Sequence, residues 1–245
     1  MLNKVYETMD AAVADVADGS TIMFPGFGPG TAKNLIAALY RQGAKDLTGI
    51  SNGPGGWRAV DDDAPPDLGS IIAERRVRKM ICAFTAPTHP SMTSPFSQQY
   101  EAGEIEAVLM PQGTLAECCR AGGAGIPAFY TPASVGTELA EGKEHREFNG
   151  RTYVLEHALF ADYTLVRAWK ADSFGNLIFR RSQRNFNPLM ATAANCTIVE
   201  VEEPIVEPGE LDPDSIHLSG IYVSRIVRIP SESEGGLWDK AFNLA

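Results

Sequence analysis

The sequence predicts an α/β protein, a mostly parallel sheet flanked by helices, and three observations carry that expectation. Short apolar runs bounded by glycine or proline, such as STIMF (20–24) and DLTGI (46–50), have the look of buried strands. Between them, TAKNLIAALYRQG (31–43) places Ala32, Leu35, Ile36 and Leu39 on one helical face, with Gly43 as a natural stop. Strand, glycine-rich turn, helix and strand then follow one another at the spacing of a βαβ unit, whose strands run parallel through a right-handed crossover.

The remaining elements follow in order. YETMDAAVADV puts Met9, Ala12, Val13 and Val16 at helical spacing ahead of the first strand. After DLTGI comes GPGGWRAVDDDAPPD, polar and rich in breakers, which reads as an exposed excursion. VRKMICAF (77–84) returns to strand character, and TAPTHPSMTSP reads as a loop. EIEAVLM is a strand, QGTLAECCRA a short helix, and GGAGIPAFY a glycine turn into another strand. TYVLEHA, ADYTLVRAWKA, GNLIF and CTIVEVE are further strands, with a helix over NPLMATAAN. No period repeats, so the chain is expected to form a single domain over 1–230, with sheet additions after about residue 130 and a C-terminal tail over 231–245.

Composition narrows the function. At 44% apolar and 21% charged residues, the 245-residue chain is that of a soluble globular protein. Its formal net charge of −10, with scattered basic residues, argues against nucleic-acid binding, which needs a concentrated cationic face. No run approaches the ~18 apolar residues of a membrane span, and MLNKVYETMDAAVADV lacks the apolar core of a signal peptide, so a cytoplasmic location without membrane contact is expected. Cys82, Cys118, Cys119 and Cys196 have no C-x-x-C spacing, and His89, His145, His157 and His217 none of the spacings of metal ligands. No metal site is expected.

Several motifs could carry chemistry. PGFGPG (25–30), between a strand and a helix start, suits an anion, or is a plain tight turn; it is not a G-x-G-x-x-G fingerprint. The runs Asp61-Asp62-Asp63 and Glu202-Glu203 read as a solvated loop and as surface or interface, respectively. Arg180, Arg181 and Arg184 in RRSQRNFNP could hold a phosphate or carboxylate, or pair with acids at an interface. ISNGPGG (50–56), at the end of a strand, has the shape of an active-site loop yet contains no Cys, His, Asp or Glu. With no convincing nucleophile, the chain is either a binding module or half of a composite active site.

Taken together, DGSTIMFPGFGPGTAKNLI, LTGISN, PQGTLAECCRAGGAGIPAFYTPASVGT, ADYTLVRAWKADSFGNLIFR and RNFNPLMATAA resemble the A subunits of the family I CoA-transferases, the 3-oxoacid type, over about residues 3–228. The resemblance implies the CoA-transferase fold, an A2B2 assembly shared with a B subunit, and ping-pong transfer of CoA from succinyl-CoA or another acyl-CoA to a 3-oxoacid such as 3-oxoadipate or acetoacetate. It also implies that the nucleophilic glutamate lies in the B subunit, in a Ser-Glu-Asn-Gly segment, so that this chain supplies no nucleophile. No cofactor is implied, coenzyme A being part of the substrate. Asn52 and Gln112 match the positions whose amides face the substrate, and Phe27, Gly28 and Gly30 belong to the glycine loop beside it. The bland alternatives are a turn residue in the left-handed conformation for Asn52 and a helix cap for Gln112. The loops at 57–67 and 85–98 depart from the family pattern, which bears on the acceptor. Rival readings are a CoA-ester hydrolase or ring-opening enzyme on the same subunit pair, and a non-catalytic ligand-binding module.

Overall fold

The computed structural model describes residues 4–56, 65–85 and 93–238. Seven strands form the main sheet: β1 (Thr21–Phe24), β2 (Leu47–Ser51), β3 (Val77–Cys82), β4 (Glu106–Leu109), β8 (Ala161–Ala168), β11 (Ala194–Val201) and β12 (Arg225–Arg228). Their order is β12-β11-β8-β1-β2-β3-β4, and every pairing is parallel. The chain builds outward from β1 through β2 to β4, then restarts at β8 on the other side of β1. That reversal is a topological switch point, and open parallel sheets bind ligands beyond the strand C-termini at such a point.

The central strands are apolar because helices cover both faces. β2 is buried throughout. Along β1 the side chains alternate: Ile22 and Phe24 join one apolar layer with Leu35, Leu39 and Ile71, while Met23 joins the opposite layer with Leu115, Cys118 and Met190. The first layer is built from α1 (Met9–Val13), α2 (Lys33–Gln42), α3 (Leu68–Ala73) and α4 (Pro95–Glu101), the second from α5 (Gln112–Gly123) and α6 (Asn187–Thr192). Gly43 closes α2, its N–H donating to the Leu39 carbonyl. Among the described residues, no helix is long and apolar enough to cross a membrane.

Three features depart from the sequence reading. α3 and α4 follow the two breaker-rich stretches, and at six and seven residues they are too short for periodicity to register. Each is started by a cap: Asp67 and Ser70 form a capping box, and Ser94 accepts from the Ser97 N–H with Pro95 in the first turn. Next, β5 (Ala128–Thr131), β6 (His145–Phe148) and β7 (Arg151–His157) form a separate antiparallel sheet. β6 is exposed along its length and lacks alternation, but Asn149 (φ 49°) and Gly150 (φ 74°) give the two-residue turn that pairs it with β7. β9 (Lys170–Ala171) and β10 (Leu177–Ile178) make a small two-stranded sheet.

The third departure concerns charge. Glu202, expected at a surface or interface, is buried with Arg167 and Glu200. Arg167 Nη1 lies 3.0 Å from Glu200 and its Nε 3.0 Å from Glu202. Glu200 also accepts from the Leu35 N–H at 2.9 Å and from Asn34 Nδ2 at 3.2 Å, so an acid from β11 fills the start of α2. Glu203 remains exposed and accepts from the Trp169 indole. Arg180 pairs with Glu202 at 3.4 Å, so it meets an acid of its own chain. Asp61, Asp62, Asp63 and His89 lie outside the described residues.

Candidate functional site

The site forms where the loops after β1, β2, β3 and β4 meet. Ser51, the last residue of β2, donates its hydroxyl to the Phe24 carbonyl at 3.0 Å and so joins the ends of β2 and β1. The next residue, Asn52, is 1% exposed. Its carbonyl accepts from the Ala83 and Phe84 N–H groups at 3.1 and 3.2 Å, tying it to the loop after β3. Its side-chain Oδ1 accepts from Gln112 Nε2 at 2.8 Å, across 60 residues of sequence. That leaves the Asn52 Nδ2 group buried without a hydrogen-bond partner among the described residues. A buried amide donor left unpaired carries a desolvation cost of about 1–3 kcal/mol, which a bound oxygen acceptor would remove.

Both bland readings of these residues fail on local geometry. Asn52 is not among the positive-φ residues; the left-handed positions of its loop are Gly55 and Gly56. Pro111, not Gln112, is the N-cap of α5, and it supplies no side-chain capping bond. Gln112 instead spends its amide on Asn52. The uncapped first turn of α5 therefore presents N–H groups and the positive end of the helix dipole beside the Asn52 amide.

Phe27, 53% exposed at the crest of the glycine loop, stacks on Phe84 beyond β3, with ring centroids 6.2 Å apart and planes at 21°. The two rings make an apolar lip. Phe84 was missed as a site residue by the sequence reading, which made it the last residue of the strand VRKMICAF; the strand ends at Cys82 and Phe84 lies beyond it. The Thr31 hydroxyl donates to the Gly28 carbonyl at 3.0 Å, closing the loop on itself. Gly30 faces the segment 183–187 rather than the lip. The arrangement thus joins Asn52 to Gln112 and Phe27 to Phe84, with the Cα of Gly30 set against residues 183–187.

Neutral donors beside an apolar lip can orient a carboxylate or stabilise a developing oxyanion. They cannot attack. The cysteines of the apolar layers offer no substitute: burial pushes the Cys82 thiol up to about 11 and those of Cys118 and Cys119 up to about 12. Burial also raises the half-buried Cys196. Iodoacetamide at neutral pH is therefore expected to label the native chain slowly and at Cys196 first, and all four thiols once unfolded, as read by mass spectrometry. Rapid native labelling of Cys118 or Cys119 would contradict this. Among the described residues, no group of three His, Cys, Asp or Glu side chains is placed to hold a metal ion. An open groove of about 600 Å³ lined by Trp169, Arg180, Asp212 and His217 contains none of the site residues.

A family model described as Coenzyme A transferase matches residues 6–228. The A subunit of the succinyl-CoA:3-ketoacid coenzyme A transferase of Helicobacter pylori is 49% identical over 228 residues, covering 93% of this chain and 93% of the relative. That of Xanthomonas campestris is 51% identical over 226 residues, covering 91% and 88%. Among solved structures, the glutaconate coenzyme A-transferase of Acidaminococcus fermentans aligns with a TM-score of 0.77 over 98% of this chain and 81% of that one. At 23% identity, this likeness speaks to the fold alone.

Proposed function

This chain belongs to the coenzyme A transferase family, and from that premise we propose that it is the A subunit of a cytoplasmic 3-oxoacid CoA-transferase, forming an A2B2 assembly with a B subunit. The donor is succinyl-CoA and the acceptor a 3-oxoacid such as acetoacetate or 3-oxoadipate. The observation that carries the reading is a loop built like a catalytic one, ISNGPGG, in which a buried amide, Asn52, keeps a donor without a partner among the described residues and which itself contains no nucleophile.

In this reading the partner's glutamate carboxylate attacks the thioester carbonyl of succinyl-CoA, and the C–S bond breaks to give an acyl-glutamyl anhydride and CoA thiolate. The thiolate then attacks the glutamyl carbonyl, releasing succinate and leaving a glutamyl-CoA thioester. The acceptor carboxylate repeats the two steps in reverse, and the glutamate is regenerated. Each step passes through a tetrahedral oxyanion. Asn52 Nδ2 donates to that oxygen, and Gln112 holds the Asn52 amide in the orientation that makes Nδ2 the free donor. Phe27 and Phe84 exclude water from the reactive anhydride. Neutral amides suit the task, because a full positive charge there would over-stabilise the resting glutamate. No cofactor beyond the CoA of the substrate is needed.

The test is reconstitution. The chain is co-expressed with a B subunit carrying the Ser-Glu-Asn-Gly glutamate, and CoA transfer from succinyl-CoA is followed with acetoacetate and with 3-oxoadipate. Activity is expected from the pair and from neither chain alone. Transfer by this chain alone would overturn the composite site, and CoA release to water with no acceptor requirement would favour the hydrolase reading.

A further inference from the structure

The glycine loop is fastened from behind by two asparagines, Asn185 just before α6 and Asn187 at its first residue. Asn185 Nδ2 donates to the Pro29 carbonyl at 2.7 Å and to the Ser182 carbonyl at 3.2 Å. Asn187, fully buried, donates from Nδ2 to the Gly30 carbonyl at 3.0 Å and to the Gln183 carbonyl at 2.8 Å, and its Oδ1 accepts from the Arg167 N–H at 3.1 Å. The loop reaches this segment only because residue 30 is glycine. A Cβ there would stand 2.4 Å from the Gln183 carbonyl oxygen, and φ is +77°.

With Thr31 on the Gly28 carbonyl, three successive carbonyls, those of Gly28, Pro29 and Gly30, are each held by a side-chain donor. In a planar trans peptide the N–H points opposite to the C=O. Holding the Pro29 carbonyl toward Asn185 therefore turns the Gly30 N–H to the other side of the loop, away from 182–187. We propose that Asn185, backed by Asn187, is a positioning residue for the transfer reaction: through the Pro29 carbonyl it sets the plane of the Pro29–Gly30 peptide, and so the direction in which the Gly30 N–H meets the substrate's carbonyl oxygen. The assignment rests on the reading above that the glycine loop faces the substrate. Nothing in Asn185 touches the reacting atoms; it acts through the peptide it holds.

The variant that isolates this role is Asn185→Asp. It keeps the shape and the Oδ1 that accepts from the Phe186 N–H, but it has no N–H for Pro29. In the reconstituted pair, kcat is expected to fall at least about tenfold and up to about 10²-fold, the scale of a misplaced donor, while KM for both substrates moves by no more than about twofold. The thermal midpoint should stay within about 2 °C of wild type, and amide exchange across residues 26–31 should quicken. Asn185→Ala, which also removes the donor but adds no charge, should do the same. Wild-type kcat in both variants overturns the assignment. So does a loss of kcat accompanied by a lowered midpoint with unchanged exchange in the loop, which is a structural effect. If the wild-type pair itself transfers no CoA, the proposed reaction falls and this assignment with it. An active wild type beside equally active Asn185→Asp and Asn185→Ala variants removes the assignment alone.

Discussion

Alanine at position 52 is expected to lower kcat/KM of the reconstituted pair by about 10²–10³-fold, the usual consequence of deleting one oxyanion donor. The effect should fall on chemistry rather than folding. Among the described residues Asn52 makes one side-chain hydrogen bond, accepted from the exposed Gln112, whose amide water can resolvate when Asn52 is gone. The stability loss should therefore stay near about 1 kcal/mol. Asn52→Asp sharpens the test. It is isosteric and still accepts from Gln112, but it presents an acceptor where the proposed mechanism calls for a donor and sets a second negative charge beside the glutamate proposed for the partner. Its activity should be no better than that of the alanine variant. Steady-state kinetics with the thermal midpoint as control measures both, and wild-type rates in the two variants would reduce Asn52 to a structural residue.

The largest stability effect is expected at Arg167, whose side chain is 0% exposed and holds both Glu200 and Glu202. Arg167→Met should destabilise the chain by about 3–5 kcal/mol, because it strands buried carboxylates rather than because the ion pair is worth that much. The loss should depend on pH. Burial already raises the Glu200 carboxyl above its ordinary value, opposed first by the Arg167 guanidinium and then by bonds from Leu35 and Asn34. An acid whose folded pKa is raised has its full stability below the unfolded value and loses it as pH rises through the folded one. Removing Arg167 removes the main opposition, so the raise grows and the window extends upward. Denaturant titrations near pH 5 and near pH 8 should therefore show the larger loss at the higher pH. A loss that is small and equal at both would mean that Glu200 is not held charged by Arg167. The same variant should loosen residues 231–238, since Arg167 Nη1 and Asn34 Nδ2 both bond the Leu237 carbonyl at 3.1 Å.

What the sequence determined by itself was set by near neighbours. The apolar run of STIMF, bounded by glycine and proline, and the helical face of 31–43 are local signals, and the order strand, turn, helix, strand requires a parallel sheet, so the first βαβ unit and the glycine loop at its centre were legible. So was Asn52 as a polar residue at a strand end without a nucleophile beside it. The Asn149-Gly150 hairpin was also there to be read, and went unread because the exposed β6 carries no apolar signal. Only the tertiary structure decided the rest. Asn52 and Gln112 share a hydrogen bond because β2 and β4 end at the same edge of one sheet, though 60 residues separate them. Glu202 looked like a surface acid because its burial depends on Arg167, a partner from β8 that local pattern does not reveal. Phe84 and Asn185 take their places from the loop each one packs against. Local pattern chooses elements because it reflects interactions within a few residues; a site is made where distant strand ends converge, and its partners are chosen by that geometry.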